Sequence, residues 1–312
     1  MNPEQLPPEP QLPVQDQKQL PILQRLDPIP FAILALGVVF VLYQLVGGGI
    51  TLLLFKGQIT EENVQVVRWA TLIGQIVFIL LPTIVLVRLR YPGQHGFFRI
   101  KVPDYREVIL TVIGVFALQQ VLQGYLIVQD AIPLPQRLEE LIDTFKGILE
   151  QMYRLLITAH SIEEFIFVVI VVALTPAICE ELFFRGLIQR TFEEQAKPFK
   201  AAIITGIIFA AYHVNPFSFV ALVALGAYFG FIVYRSRNLT VAISAHFFNN
   251  FIACAALYMQ LDDDFVAVAP MAQPTPVLLI ANFLVFGLVF LAATYYFVRV
   301  TVPTTEVDGR GG

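Results

Sequence analysis

Long apolar runs separated by short polar stretches dominate the pattern of the chain from Pro30 onward. An α-helix of about 20 residues, rising about 1.5 Å per residue, crosses a hydrocarbon core of roughly 30 Å. The pattern predicts eight membrane-spanning helices, over residues 30–55, 67–87, 108–128, 165–184, 201–212, 217–234, 239–257 and 276–298. The fifth run is too short to cross alone and needs flanking residues to extend it.

Residues 134–157 follow a different pattern, in which apolar and charged residues occupy opposite faces of one helix. Leu138, Leu141, Phe145 and Met152 recur at helical spacing, and acidic and basic residues fill the positions between them. This spacing predicts an amphipathic helix that lies on the outer membrane surface or on the helix bundle. Two roles remain open for it, a packed surface helix and a lid over a substrate.

The two ends of the chain differ from the apolar centre. Residues 1–29 contain seven prolines and six glutamines, a composition that predicts a flexible cytoplasmic tail. Residues 301–312 are predicted to form a flexible C-terminal tail. The region between them, residues 30–300, is predicted to be a single helical transmembrane domain.

Composition narrows the class of protein. Apolar residues make up 57% of the 312 positions and charged residues 14%, against about a quarter charged in soluble domains. A soluble enzyme, a disordered chain and a nucleic-acid binder are therefore disfavoured, and the net charge of −4 gives no general attraction to phosphate backbones. The fold class expected is an all-α polytopic membrane protein with about eight transmembrane helices and one amphipathic surface helix.

Lysine and arginine residues are concentrated in alternate loops. They occur in the loops at 88–106, 190–200 and 235–237 and at Arg299, whereas the acidic loop at 258–275 has none. The positive-inside rule then places both termini in the cytoplasm. An integral protein of the plasma (inner) membrane is expected.

Ionisable residues inside the apolar runs are costly and mark functional sites. Glu180 and Glu181 end the fourth run, and Arg185 lies four residues beyond Glu181, on the same helix face. The spacing predicts a Glu181–Arg185 ion pair that leaves Glu180, about 100° away, without a local cation. A carboxylate in a poorly hydrated site is well suited to general-base catalysis. Pro176 predicts a kink that admits water near Glu180.

Two further polar groups lie in later runs. His213 ends the fifth run, and His246 and Asn250 share a helix face in the seventh. Taken alone, these residues are also consistent with ordinary hydrogen bonding between helices. Together with Glu180 they supply the base, the water-orienting group and the oxyanion donors of a hydrolytic site. Histidine is also a metal ligand, so a metal site remains open.

The three polar groups resemble the motifs of the CPBP intramembrane protease family, the CAAX prenyl endopeptidase and bacteriocin-processing group. The family pattern has Glu-Glu-x-x-x-Arg, then Phe-x-x-x-His, then His-x-x-x-Asn or Asp, on three membrane helices. The chain has them in the same order and with the same internal spacing, as Glu180-Glu181-x-x-x-Arg185, Phe209-x-x-x-His213 and His246-x-x-x-Asn250. The resemblance therefore implies a catalytic core over residues 165–257.

The resemblance also implies a role for each motif residue. Glu180 is expected to activate water with help from His213, while His246 and Asn250 hold the substrate carbonyl and its oxyanion. Glu181 and Arg185 are expected to support the site. Family members are described both as metalloproteases and as metal-independent glutamate proteases, so the cofactor is either zinc or none. If zinc is bound, its ligands are expected to be Glu180, His213 and His246.

The function expected is that of an intramembrane endopeptidase, which hydrolyses a peptide bond of a peptide or protein substrate inside the membrane. Two other functions remain open on the same residues. Intramembrane glutamate and histidine residues also line the ion paths of transporters and proton relays. A catalytically silent membrane scaffold would use the amphipathic helix and the tail to hold its partners. Nucleic acid is not an expected partner.

Overall fold

A computed structural model of the protein describes residues 21–55, 59–259 and 275–301, and every regular element in these ranges is a helix. The first four long helices are α1 (Pro28–Phe40, Val41–Gly47 and Gly48–Phe55), α2 (Val64–Gln75, Ile76–Leu80 and Leu81–Arg90), α3 (Tyr105–Asp130) and α4 (Gln136–Ile157). Next comes α5, which comprises Ile162–Val168, Val169–Leu174, Thr175–Glu181, Leu182–Gln189 and Arg190–Glu193. The last four are α6 (Pro198–Tyr212), α7 (Phe219–Ser236), α8 (Leu239–Tyr258) and α9 (Pro276–Val300).

The predicted fold class is confirmed. Within the described ranges, seven helices are long and apolar enough to cross a membrane: α1, α2, α3, α5, α7, α8 and α9. The fifth of the eight predicted spans forms α6, which is apolar but has only 15 residues and is not among the seven. This agrees with the expectation that the fifth run is too short to cross alone. The molecule is an all-α polytopic membrane protein.

The helix α4 is the predicted amphipathic helix, and it extends over Gln136–Ile157. Its apolar face is not covered by other helices, since Leu141 and Phe145 each leave 54% of their surface exposed. An uncovered apolar face of this kind is typical of a helix that lies on a membrane surface.

A single buried arginine fixes the C-terminal end of α4. Arg68 of α2 is only 1% exposed. It donates hydrogen bonds to the backbone carbonyls of Leu155, Leu156 and Thr158. Its Nη1 also lies 2.5 Å from Oε1 of Glu164 at the start of α5. The last carbonyls of a helix have no partner within the helix and attract cations, so Arg68 joins α2, α4 and α5.

Proline residues account for two of the irregular segments. Pro82 and Pro176 each follow a π-helical segment, Ile76–Leu80 in α2 and Val169–Leu174 in α5. Proline has no N–H to donate and clashes with the carbonyl four residues earlier. A wider π turn before the proline relieves that clash. The second of these segments lies immediately before the Glu180–Glu181 pair.

The helices α6 and α7 pack at unusually short range because glycine residues meet where they cross. A Cβ atom at Gly206 would lie 2.5 Å from the backbone nitrogen of Ala227, and one at Gly226 would lie 2.9 Å from Cα of Gly206. Small residues permit such close approach between membrane helices. The close crossing places the polar end of α6 beside α5 and α8, and α8 also contacts α3, α5 and α7.

Part of the predicted N-terminal tail lies against the bundle. Ile22–Arg25 forms one helical turn, and the side chain of Gln24 donates to the carbonyl of Leu89 at 3.1 Å. Arg90 in turn donates to the carbonyl of Gln24. Residues 1–20, the acidic stretch at 262–264 and residues 302–312 lie outside the described ranges, so the predictions for them stay predictions.

Candidate active site

Glu181 lies at the centre of a buried hydrogen-bond network that joins α5 to α8. Its side chain has no exposed surface, and Oε1 lies 2.8 Å from Nη1 of Arg185 and 2.9 Å from Nδ1 of His246. An ionised carboxylate only accepts hydrogen bonds, so His246 donates through Nδ1. In the neutral ring, Nε2 of His246 therefore carries a lone pair.

Arg185 occupies a cage of backbone and aromatic groups. It is 2% exposed and donates through Nη2 to the carbonyl of Gly226 at 2.9 Å. The ring centroids of Phe209 and Phe229 lie 4.6 and 5.4 Å from its guanidinium carbon, within the range of cation–π attraction. The cage and the carboxylate of Glu181 together compensate for burying this cation.

Glu180, the adjacent carboxylate, has a different environment. Its side chain is half-buried, and Oε2 is buried without a hydrogen-bond partner among the described residues. Arg185 and the phenol of Tyr43 in α1 lie within electrostatic range of it. A carboxylate oxygen that no protein group satisfies is free to bind water or substrate.

His213 lies at the C-terminal end of α6, where the helix stops. Its Nδ1 lies 2.8 Å from the carbonyl of Phe209. A carbonyl oxygen only accepts, so Nδ1 carries the proton and Nε2 is free to accept a hydrogen bond. The next residue, Val214, has a left-handed backbone with φ of 49°, which is unusual for a β-branched residue. His213 is exposed at this end of the helix.

The ring of Phe209 contacts both imidazoles. Its centroid lies 4.5 Å from that of His213 and 6.0 Å from that of His246. The histidines of the α6 and α8 motifs therefore both lie against the ring of Phe209. Because Phe209 also touches Arg185, all three motif helices meet around this ring.

Residues 162–252 match the family model of the type II CAAX prenyl endopeptidases, Rce1-like. The chain carries an Rce1-like domain. The resemblance to the CPBP family is thereby confirmed over this segment, and the helical membrane fold together with the match indicates an intramembrane protease. No curated protein and no solved structure matches the chain.

Asn250, in the last motif of the Rce1-like domain, binds the backbone of α5. Its Nδ2 donates to the carbonyl of Val172 at 3.0 Å, and its Oδ1 accepts from Asn249 at 3.0 Å. In an α-helix the carbonyl of Val172 would bond the N–H of residue 176, which proline lacks. Asn250 therefore compensates for Pro176, and one of its two N–H groups remains for another partner.

Three polar residues outside the Rce1-like domain also approach the site. Tyr43 lies within electrostatic range of Glu180 and close to the side chain of Gln75. Gln44 donates to the carbonyl of Tyr212, next to His213, at 2.6 Å. These residues were not among the site residues expected from the sequence. In the sequence, Tyr43 and Gln44 could have been identified as a polar pair within an otherwise apolar run. In the structure, the pair lies in the π-helical segment Val41–Gly47.

The residues expected to bind zinc do not form a metal cluster. In the part of the chain that the structure describes, no three His, Cys, Asp or Glu side chains are grouped closely enough to hold a metal ion. His246 also directs its Nδ1 to Glu181 rather than to Glu180. The arrangement does not fit a three-ligand zinc site, so no step of the mechanism below passes through a metal.

Proposed function

We propose that the protein is an intramembrane endopeptidase in which Glu180 activates the attacking water. The observation that supports this role is the contrast between two adjacent carboxylates. Oε2 lacks a hydrogen-bond partner in both glutamates among the described residues, but Oε1 of Glu181 is held by Arg185 and His246 and its side chain has no exposed surface. The side chain of Glu180 is only half-buried, so water can reach it. Glu180 is therefore the glutamate of the pair that is accessible to water, and we propose it as the base.

The proposed reaction needs one water molecule and one peptide bond. Glu180 takes a proton from the water while the water oxygen attacks the carbonyl carbon of the substrate. Nε2 of His213 accepts the second hydrogen of the water and orients it. Glu180 then passes its proton to the leaving nitrogen, the carbon–nitrogen bond breaks, and a carboxylic acid and an amine result.

His246 and Asn250 are proposed to stabilise the oxyanion. With Nδ1 bound to Glu181, His246 donates through Nε2 only when it carries a second proton. The carboxylate of Glu181, 2.9 Å from the ring, is the acceptor and counter-charge for the imidazolium in this step. The N–H of Asn250 that is not bound to Val172 supplies the second donor. Donors of this kind typically contribute about 100- to 1,000-fold to the rate.

The proposed substrate is a peptide or protein segment that reaches the site from the membrane, and both termini are proposed to be cytoplasmic. The family match names CAAX prenyl endopeptidases, which makes a CAAX-type peptide the first probe. Two versions of the same fluorescence-quenched peptide, one farnesylated and one unmodified, test whether a prenyl group is required.

The experiment compares three proteins in proteoliposomes: wild type, Glu180→Gln and the matched control Glu163→Gln, a glutamate in the first turn of the same helix. We expect cleavage by wild type and by the control, and a loss of about 100- to 10,000-fold in Glu180→Gln. Wild-type cleavage by Glu180→Gln contradicts the proposal. Proton flux without hydrolysis would favour a transporter, and intact cellular function in a Glu180→Gln/His213→Ala double variant would favour a scaffold.

A further inference from the structure

A polar pocket lies where the ends of α2, α5 and α7 meet the start of α6. It has a volume of about 380 Å³, and three arginines from separate parts of the chain line it: Arg99, Arg190 and Arg237. Arg99 and Arg237 lie in the loops that follow α2 and α7, and Arg190 lies near the C-terminal end of α5. The pocket therefore lies at the level where a bilayer changes from acyl chains to headgroups, at the end of the bundle predicted to be cytoplasmic.

The acidic residues of the pocket leave it with an excess of positive charge. Glu193 Oε2 lies 2.9 Å from Nη1 of Arg99 and 3.1 Å from Nη1 of Arg237. Glu194 accepts a hydrogen bond from the phenol of Tyr91 at 2.5 Å. Burial raises the pKa of Tyr91 to about 12, so the phenol stays protonated and remains a donor. Three guanidinium groups thus face two carboxylates.

Among the three arginines of the pocket, Arg190 has a buried guanidinium nitrogen without an acceptor in the described part of the chain. Its Nη1 is buried and has no hydrogen-bond partner among the described residues. Its guanidinium carbon lies 4.0 Å from the centroid of the Phe97 ring, a cation–π contact that holds the group at the pocket wall. A buried guanidinium N–H without an acceptor is costly, and an anion in the pocket would satisfy it.

The start of α6 adds further donors at the same place. Pro198, the first residue of α6, lines the pocket. The residue before it, Lys197, gives no side-chain cap to the helix, so the first N–H groups of α6 lack a capping acceptor. The N-terminus of a helix attracts anions, phosphate above all.

Two of the arginines are held in an unfavourable backbone conformation. Arg99 and Arg237 have φ angles of 52° and 51°, in the left-handed region that non-glycine residues rarely adopt. The backbone N–H of Leu239 donates to the carbonyl of Arg99 at 3.1 Å and so ties the two loops together. Strain of this kind persists where the surrounding structure enforces it, commonly at binding sites.

We propose that this pocket binds the phosphate group of an anionic phospholipid. Guanidinium groups match the geometry of phosphate oxygens. Apolar side chains beside the pocket are exposed, with Phe199 at 54% and Val102 at 96%, and acyl chains would cover them. The peptide substrate is a poorer candidate, because the wholly buried segment Leu182–Gln189 lies between Glu180 and Arg190, about 15 Å along α5.

The test measures lipid binding by the purified full chain in nanodiscs and by native mass spectrometry. The probes are phosphatidylglycerol, phosphatidylcholine and inorganic phosphate. We expect wild type to retain phosphatidylglycerol and to gain thermal stability as its fraction rises. Arg190→Gln should bind it at least about tenfold more weakly, equivalent to about 1.4 kcal/mol. Arg190→Lys keeps the positive charge but loses the planar guanidinium group that can donate two parallel hydrogen bonds, so it should recover only part of the affinity.

The matched control is Arg299→Gln at the end of α9, an arginine that donates to the hydroxyl of Tyr295 and lies outside the pocket. It should bind phosphatidylglycerol as wild type does. Equal lipid binding by Arg190→Gln and Arg299→Gln would overturn the proposal. The proposal would also be overturned if inorganic phosphate saturated the pocket and the lipid bound no more tightly than phosphate. It would likewise be overturned if Arg190→Gln changed only the KM of peptides that have a free C-terminal carboxylate. The lipid measurements need no peptidase activity, so they are independent of the proposed function.

Discussion

Nδ1 of His246 lies 2.9 Å from Oε1 of Glu181, the same oxygen that accepts a hydrogen bond from Arg185. One carboxylate oxygen thus holds an imidazole from α8 and a guanidinium from its own helix. The contact fixes which nitrogen of His246 faces the rest of the site. It also separates the roles of the two adjacent glutamates, since Glu181 is wholly buried and ion-paired whereas Glu180 is half-buried.

Glu181→Gln is expected to destabilise the protein and to lower its activity. The change leaves the guanidinium of Arg185 buried without a counter-charge and weakens the acceptor that orients His246. Removal of one partner from a buried ion pair costs about 3–5 kcal/mol. Thermal unfolding of the detergent-solubilised protein measures the stability, and cleavage of the CAAX-type peptide measures the activity. Glu180→Gln should lose activity while its unfolding temperature stays near that of wild type. If both variants unfold alike, the division of roles is wrong.

Gly206→Ala is expected to disturb the crossing of α6 and α7. A Cβ atom there would lie 2.5 Å from the backbone nitrogen of Ala227, and backbone cannot move away as a flexible side chain can. Overpacking of this kind costs about 1–3 kcal/mol or more, and it also displaces the carbonyl of Gly226 that Arg185 binds. The control is Gly37→Ala in α1, where a Cβ atom meets nothing within 4 Å. Denaturant titration should show a loss for the first variant and no loss for the second.

Asn250→Ala is expected to cost about 1–3 kcal/mol, because the carbonyl of Val172 loses its side-chain donor. Replacement of Pro176 by alanine restores a backbone N–H near that carbonyl. The double variant Pro176→Ala/Asn250→Ala should therefore be more stable than Asn250→Ala alone, as measured by thermal unfolding. Additive losses in the double variant would show that Asn250 does not compensate for Pro176. Peptide cleavage should remain low in the double variant, because the oxyanion donor is still absent.

Metal removal is expected to leave the activity unchanged. The described Glu and His side chains do not group as three zinc ligands, and in the proposed chemistry the water is activated by Glu180 and His213. Dialysis against a strong chelator, followed by elemental analysis and the peptide assay on the same sample, tests this. Activity that falls with the metal content and returns on addition of zinc would require a different mechanism.

The overall fold followed from the sequence because membrane helices leave a strong signal. Apolar runs of about 20 residues are readable without tertiary information, and the 3.6-residue period of α4 is equally clear. Internal irregularities were harder to predict. Pro176 indicated a kink, but the π-helical segments Val41–Gly47 and Leu182–Gln189 contain no proline, and local sequence does not predict them.

The candidate site was predictable only in part. Glu181 and Arg185 lie four residues apart, so helix geometry alone placed them on one face. The bond from His246 to Glu181 joins residues that are 65 apart in the chain, and no local rule predicts such a contact. The same holds for Asn250 and Val172, and for Gln44 and Tyr212. Each depends on how whole helices pack against one another.

The contacts made by Tyr43 and Gln44 set a lower limit on the size of a working enzyme. Both residues lie in the first long helix, more than a hundred positions before the family-matched segment 162–252 begins, yet one lies near Glu180 and the other donates to the carbonyl beside His213. A fragment trimmed to that segment would carry every motif and still lack the helix that places Tyr43 and Gln44 beside the motif residues. Grafting the motifs onto another scaffold would therefore also require a substitute for α1.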